Sequence, residues 1–385
     1  MPDEYARRVG RERGLSNQHE ALITAKEAAE LLGVRTATIY AYASRGLLGP
    51  GARGPGTRAR YPRSLVETLR VKAAARAGHA AVAAAALRWG EPVLDSAITR
   101  ISPRGPVYRG RRAIDLVDEP FEKVAEWLWG TPVDWSARTR RVATKSARPS
   151  VHTFVELVLA STARPPERGA LLFRLACAAG RHEVMAERAG SIAEAFLTSL
   201  RGQRPRREEV RWINAALVLI ADHELNASTF AARVAASARA PWLDCVLSAL
   251  GAATGVRHAA ACDAAEAMWR AKALPPLEGQ LPGFDVGAYP GGDPRAERLL
   301  SMLRPALIAR ERTRLDALLS EVERATGQLP AVDLAFAVLS THLRLPAGSS
   351  TVLFVLGRMA GWLAHIDEQL ASADSIRPRA RYVGQ

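Results

Sequence analysis

The residues best placed to do chemistry sit in polar interruptions of an apolar chain. Asp222-His223-Glu224 follows the run Ile213 to Ala221. That run is too short to span a bilayer and reads as a buried helix. The ionisable triple at its end must then be solvated or paired, because burying it bare is costly. The same stretch also fits a plain helix end, with Ser228 or Thr229 capping the next helix. Gly255-Val256-Arg257-His258 stands ahead of Ala259-Ala260-Ala261. Amides at a helix N-terminus there can hold an anion or keep the histidine neutral. A glycine-rich loop, Gly283 to Tyr289, leads to Asp293-Pro294-Arg295. Asp333 lies in the apolar setting Leu329-Pro330-Ala331-Val332-Asp333-Leu334, which raises a carboxylate's pKa and suits a general base. Gly357-Arg358 follows an apolar helix start, and Ile376-Arg377 comes near the end.

The elements that position these residues are predicted to be helices. The chain has 385 residues, 48% apolar and 24% charged, enough for two or more domains with a sizeable core. Alanine, leucine, arginine and glutamate dominate, and β-branched alternation is scarce, so the fold class is all-α. An amphipathic helix is expected from Pro120 to a stop at Gly130. Successive helices follow over 150–220, with breaks at Pro165-Pro166 and from Gly202 to Pro205. No 20–50-residue repeat is visible. Cys177, Cys245 and Cys262 lie far apart, which argues against a disulfide framework or a zinc ribbon and suits a reducing cytoplasm. No metal site is expected. Met1-Pro2-Asp3-Glu4 lacks a signal-peptide h-region, and no run reaches membrane-spanning length. The expected location is cytoplasmic, with no membrane partner.

The net charge of +14 points to polyanionic partners. Residues 1–80 carry fourteen Lys/Arg against seven Asp/Glu, half of the excess. Residues 1–21 read as a flexible arm. Residues 22–76 read as a DNA-binding unit. Thr24 and Glu27 form a capping box for a helix from Ala25 to Leu32, with Ala28, Ala29, Leu31 and Leu32 inward and Gly33 at its end. A second helix, Arg35 to Arg45, carries Ile39 and Tyr40 inward. It offers Arg35, Thr36, Thr38, Tyr42 and Arg45 to phosphates and base edges. A Gly/Pro/Arg-rich wing brings Arg58 and Arg60, and a third helix from Arg63 to Arg76 turns Leu65, Val66 and Leu69 inward. Two short helices joined by a Gly turn make a helix-turn-helix. The arrangement resembles the winged helix-turn-helix of MerR/excisionase-type DNA-binding domains, whose partner is double-stranded DNA. A basic protein–protein module is the other reading. Residues 77–91 form an Ala-rich linker.

From 92 to 385 the chain resembles citrate synthase. The matching order is Ser96-x-Ile98-Thr99, Tyr108-Arg109-Gly110, Asp115-Leu116, Phe121-Glu122, Asp222 to Val234, His258, Gly283-Phe284, Tyr289, Asp293 to Ala296, Asp333, Arg358 to Trp362 and Arg377 to Gly384. The resemblance implies an all-α homodimer with a large domain, an inserted small domain at roughly 259–345, and a cleft between them. It implies that Asp333 removes a methyl proton from acetyl-CoA and that a neutral His258 stabilises the enol. His223, Arg295, Arg358 and Arg377 would hold oxaloacetate, with Arg377 arriving from a second subunit. Acetyl-CoA would be a co-substrate, with no permanently bound cofactor. Departures accompany the match. The family's Gly-x-Gly-His-x-x-Tyr reads Gly283-Phe284-Asp285-Val286-Gly287-Ala288-Tyr289, and the Gly after the first catalytic His is Ala259. Val286 thus replaces the histidine that polarises the oxaloacetate carbonyl. The expected activity is a slow condensation of a short acyl-CoA with oxaloacetate. The alternatives are a ligand-sensing DNA-binding regulator and a non-catalytic partner in a mixed oligomer with an active synthase.

Overall fold

The structure is a computed structural model that describes residues 22–44, 48, 59–62, 65–66, 94–135, 151–161, 167–272, 277, 281–285, 288–289, 291–378 and 382. The arm 1–21, Arg45, Arg58, most of the third N-terminal helix, the linker core and Val286 lie outside the described residues, as does the side chain of Asp285. The chain divides into two compact units, 1–95 with 377–385, and 96–376.

In the first unit, strand β1 (Leu22–Thr24) pairs antiparallel with β2 (Arg60–Pro62), Ile23 opposite Tyr61. Helix α1 (Ala25–Leu32) starts at Thr24. The Glu27 amide donates to Thr24 Oγ1 at 3.3 Å and the Thr24 amide donates to Glu27 Oε2 at 2.7 Å, closing the expected capping box. Gly33 ends the helix with φ 63°, a conformation that favours glycine. Helix α2 spans Thr36–Ser44. Ala25, Ala28, Ala29, Ile39, Leu48, Tyr61 and Val66 form the core. Two expected orientations are corrected. Tyr40 is 50% exposed, whereas Tyr42 packs on the core. Position 42 is three residues from Ile39 and shares its face, while position 40 is rotated about 100° away. Likewise Leu65 faces outward and Val66 is buried.

The second unit is helical around a long central helix. It opens with the antiparallel strands β3 (Thr99–Ser102), β4 (Gly105–Tyr108) and β5 (Arg111–Arg112). Helix α3 (Phe121–Trp129) stops at Gly130, as expected. There follow α4 (Val151–Leu159), α5 (Arg168–Cys177), α6 (Glu183–Ala186), α7 (Ile192–Arg201), α8 (Arg207–Ile220), α9 (Ala227–Ser237), α10 (Trp242–Ala253) and α11 (Ala261–Ala271). After β6 (Phe284–Asp285) come α12 (Pro294–Leu303), α13 (Ala309–Thr326), β7 (Leu329–Pro330), α14 (Val332–His342) and α15 (Ser349–Ala371). Helix α15 is buried continuously from Ser349 to Ile366, mostly apolar on every side but with Arg358 and His365 enclosed in it. A Cβ on Gly357 would strike Ile220 and Leu217, and one on Gly361 would strike Asp222. These two glycines let α15 cross tightly against the end of α8, and the Gly361 amide donates to Ala221 O at 2.9 Å. The crossing delivers Arg358 to the end of α8. Strand β6 pairs with β7, Phe284 opposite Pro330, so the loop before Tyr289 is fastened to the segment before Asp333.

Candidate active site

The α8–α9 turn is built by Asn226. Its Oδ1 accepts the amides of Ser228 at 3.2 Å and Thr229 at 3.3 Å, so Asn226 is the N-cap of α9. This corrects the assignment of the cap to Ser228 or Thr229. A cap side chain accepts from the second and third helical amides, and Ser228 and Thr229 are the donors. Ser228 is thereby released for another task. Its Oγ lies 2.6 Å from His258 Nε2 and 2.7 Å from Asn226 Oδ1, and it accepts Trp362 Nε1–H at 3.0 Å. Burial, then the charge of Arg358, lowers His258 to about 4. The histidine is neutral at pH 7, and this follows from burial rather than from a helix N-terminus. Ser228 Oγ–H donates to Asn226 Oδ1 in this arrangement; if the hydroxyl turns to donate to Nε2 instead, the His258 proton resides on Nδ1, free to be donated to a carbonyl.

The opposite side of the site is cationic. His223 Nε2 lies 2.8 Å from Tyr289 Oη, and burial followed by Arg295 and Arg358 holds His223 neutral, well below the ordinary histidine range. The same Tyr289 ring lies 5.3 Å from the Arg295 guanidinium, and burial pushes its phenol up to about 12. Arg295 forks onto Asp293, Nε to Oδ1 at 2.9 Å and Nη2 to Oδ2 at 2.8 Å. Burial is the largest influence and opposes its charge, but Asp293, Tyr289 and Tyr108 together make the net shift upward. Asp293 Oδ2 also accepts the Val332 amide at 3.0 Å, which ties this arginine to the first residue of α14. Arg358 is 2% exposed and donates Nε to Ile220 O at 2.9 Å. It forms no ion pair among the described residues. Burial lowers it to about 10 despite the favourable field of Asp222. Asp222 itself is fully buried, with His365 Nε2 3.2 Å from its Oδ2.

Asp333 is half-buried in the first turn of α14. Its Oδ1 accepts the thiol of Cys262 at 2.9 Å, so its setting is not purely apolar. Asp293 and Phe354 link the parts of the site. Asp293 joins Arg295 to the helix that bears Asp333, and the Phe354 ring touches both His258, at 5.5 Å, and Arg358, at 4.8 Å. The structure thus gathers His223, Arg295 and Arg358 around one centre with His258 beside Arg358, and joins Asp333 to it indirectly, through Cys262 and the Asp293–Val332 contact. Arg377 is exposed and lies with the first unit. Among the DNA-facing candidates, Arg35 and Arg60 are exposed, Thr36 and Thr38 are half-buried, and Tyr42 packs inward.

Sequence reasoning assigned no role to Asn226, Cys262, Tyr289 or Trp362, and gave Ser228 only a capping one. Some signals were present: Asn226 precedes a helix at cap spacing, Cys262 stands four residues after His258, and Tyr289 closes the glycine-rich loop. No group of three or more His, Cys, Asp or Glu among the described residues could hold a metal ion. No described helix is long and apolar enough to cross a membrane.

Comparison with known proteins agrees with this architecture. The family profile for the citrate synthase C-terminal domain matches residues 162–379, and a helix-turn-helix domain profile matches 22–70. The chain belongs to the citrate synthase family and carries a helix-turn-helix domain at its N-terminal end. Citrate synthase 2 of Bacillus subtilis is 36% identical over 210 residues, covering 50% of this chain and 56% of that protein. The 2-methylcitrate synthase of Shewanella oneidensis is 32% identical over 211 residues, covering 50% and 56%. The chain thus spans about half the length of the curated relatives it matches. The citrate synthase structure from Thermotoga maritima superposes with a TM-score of 0.65 at 24% identity, covering 77% of this chain and 94% of that one. The Thermoplasma acidophilum enzyme, solved with carboxymethyl coenzyme A and oxaloacetate, superposes at 0.65 and 22% identity, covering 76% and 94%. Both show the shared all-α fold.

Proposed function

We propose that the second unit condenses a short acyl-CoA, acetyl-CoA in the simplest case, with oxaloacetate. The observation that carries this reading is Arg358, a buried guanidinium with no ion-pair partner among the described residues, in the field of a second buried arginine. A buried charge without a paired counterion is costly, and a dicarboxylate would supply the counterion. Arginine's planar fork suits carboxylates. His223, Arg295 and Arg358 hold the dianion. Asp333 removes a proton from the acyl-CoA methyl group while neutral His258 donates its Nδ1 proton in a hydrogen bond to the thioester oxygen. The resulting enol attacks the keto carbon of oxaloacetate, and water then hydrolyses the citryl thioester to release CoA. A small domain at about 259–345 closes on the substrates, and Arg377 completes the site from the second subunit of a homodimer.

Val286 stands where a donor to the keto oxygen is expected from the family pattern. Loss of one such donor costs about 10²–10⁴ in rate, so turnover is slow. The test is CoA release from acetyl-CoA and oxaloacetate by wild type, Asp333→Asn and Val286→His. Slow turnover that Asp333→Asn abolishes and Val286→His accelerates supports the reading. A silent wild type that gains activity only with Val286→His identifies a ligand-binding regulator or the non-catalytic partner of an active synthase.

The helix-turn-helix favours a second role. We infer that Arg35 and Arg60, both exposed, contact phosphates of double-stranded DNA, with Tyr40 as the outward aromatic of α2. Affinity should fall steeply with salt as counterions are released. Salt-independent retention on a DNA column would remove this role.

A further inference from the structure

The turn that carries His258 leads directly into α11. The Ala261 amide donates to His258 O at 2.9 Å and the Cys262 amide to Ala259 O at 3.0 Å, so one tight turn links the two side chains. The turn is gripped from two sides. Thr351 Oγ1 of α15 lies 3.2 Å from Ala259 O and 2.6 Å from Asp263 Oδ1. From the other side, the fully buried Cys262 reaches across to α14 and Asp333, 71 residues away.

We propose that Cys262 is a positioning residue whose thiol, donating to Asp333 Oδ1, sets the orientation of the carboxylate that removes the methyl proton. The proposal rests on the reading of Asp333 as the base. The chemistry suits the task. A thiol is a weak donor, so it orients an anion while taking less of its basicity than a hydroxyl would. A hydrogen bond to the charged form favours that form, and a stronger donor would hold the charge more firmly. Burial, followed by the neighbouring Asp333, holds the Cys262 thiol well above its usual range, so it stays protonated and remains the donor. This bond ties the turn bearing the acid to the helix bearing the base.

The experiment compares Cys262→Ala and Cys262→Ser with wild type in the full-length protein. It reads CoA release and deuterium wash-in to the acetyl-CoA methyl group, with melting curves to verify folding. Cys262→Ala should lower kcat about tenfold and leave the oxaloacetate KM within about twofold. Its acid limb in the pH–rate profile should move up by about half to one unit, the worth of one hydrogen bond. Cys262→Ser keeps a donor, so it should stay within about threefold of wild type with no upward move of that limb. A folded Cys262→Ala with unchanged kcat and pH profile overturns the proposal. So does an equal loss in both variants with an unmoved limb, which marks a packing role. If wild type does not turn over or exchange, and Asp333→Asn changes nothing, the reading of Asp333 as the base fails instead. A ¹³C titration of the Asp333 carboxyl then decides the pair on its own: a curve that moves in Cys262→Ala keeps the thiol's hold on the carboxylate, and an unmoved curve overturns it.

Discussion

The two ends of the candidate site are built on opposite electrostatic plans. The anion end consists of Arg295 and Arg358, both buried, with charge held by Asp293 and by the field of Asp222. The acid–base end consists of His258 and Asp333, both half-buried, held by a serine and a thiol. Buried charge is expensive and therefore selective for a counter-charge, whereas neutral donors leave protons free to move. The difference separates affinity from chemistry, and mutations should separate them too.

The sharpest break is expected at His258. His258→Ala should lower kcat by about 10²–10³, the loss of one donor at the developing enolate, with the oxaloacetate KM little changed. An equal loss of oxaloacetate affinity by calorimetry would mean the two ends are not separable. Arg358→Leu is the reciprocal change. It should weaken oxaloacetate binding about 100-fold, roughly 3 kcal/mol, while leaving the melting temperature of the ligand-free protein unchanged or higher, because an uncompensated buried charge is gone. A large drop in melting temperature would instead show that Asp222 already neutralises it.

The acid–base end also predicts a pH dependence. His258 has a folded-state pKa of about 4, below its ordinary 6.5. The native state keeps it neutral while the unfolded chain takes up a proton, so its contribution is complete above 6.5. That contribution is lost as pH falls toward 4, by up to about 3 kcal/mol from this group. Denaturant titrations between pH 7 and 4 should show the decline, and His258→Gln should remove this group's share while leaving that of His223. Tyr289→Phe removes the partner of His223 and should weaken oxaloacetate binding about fivefold, the worth of one neutral hydrogen bond, with unchanged deuterium exchange into acetyl-CoA. The smallest effect concerns the first unit: Arg35→Ala should reduce the slope of log affinity against log salt on DNA by about one.

Local features were legible in the residues. The Thr24–Glu27 box, the Gly33 and Gly130 stops and the buried run into Ile220 follow from rules that operate within a few positions. The placement of Tyr40 and Tyr42 was not, because both are aromatic and only the packing of α2 on the first unit's core decides which faces out. The four short strand pairings among the described residues were also missed, since strands of two to four residues carry too little alternation to read.

Residue types and motif order thus determined the family and the helical class, and nominated His223, His258, Arg295, Asp333 and Arg358 as candidate site residues. Tertiary structure alone decided the partnerships: Ser228 with His258 across 30 positions, His223 with Tyr289 across 66, and Cys262 with Asp333 across 71. No local propensity encodes such pairs. They arise where distant elements pack: Gly357 and Gly361 let α15 close on α8, and β6 pairs with β7 just ahead of Asp333.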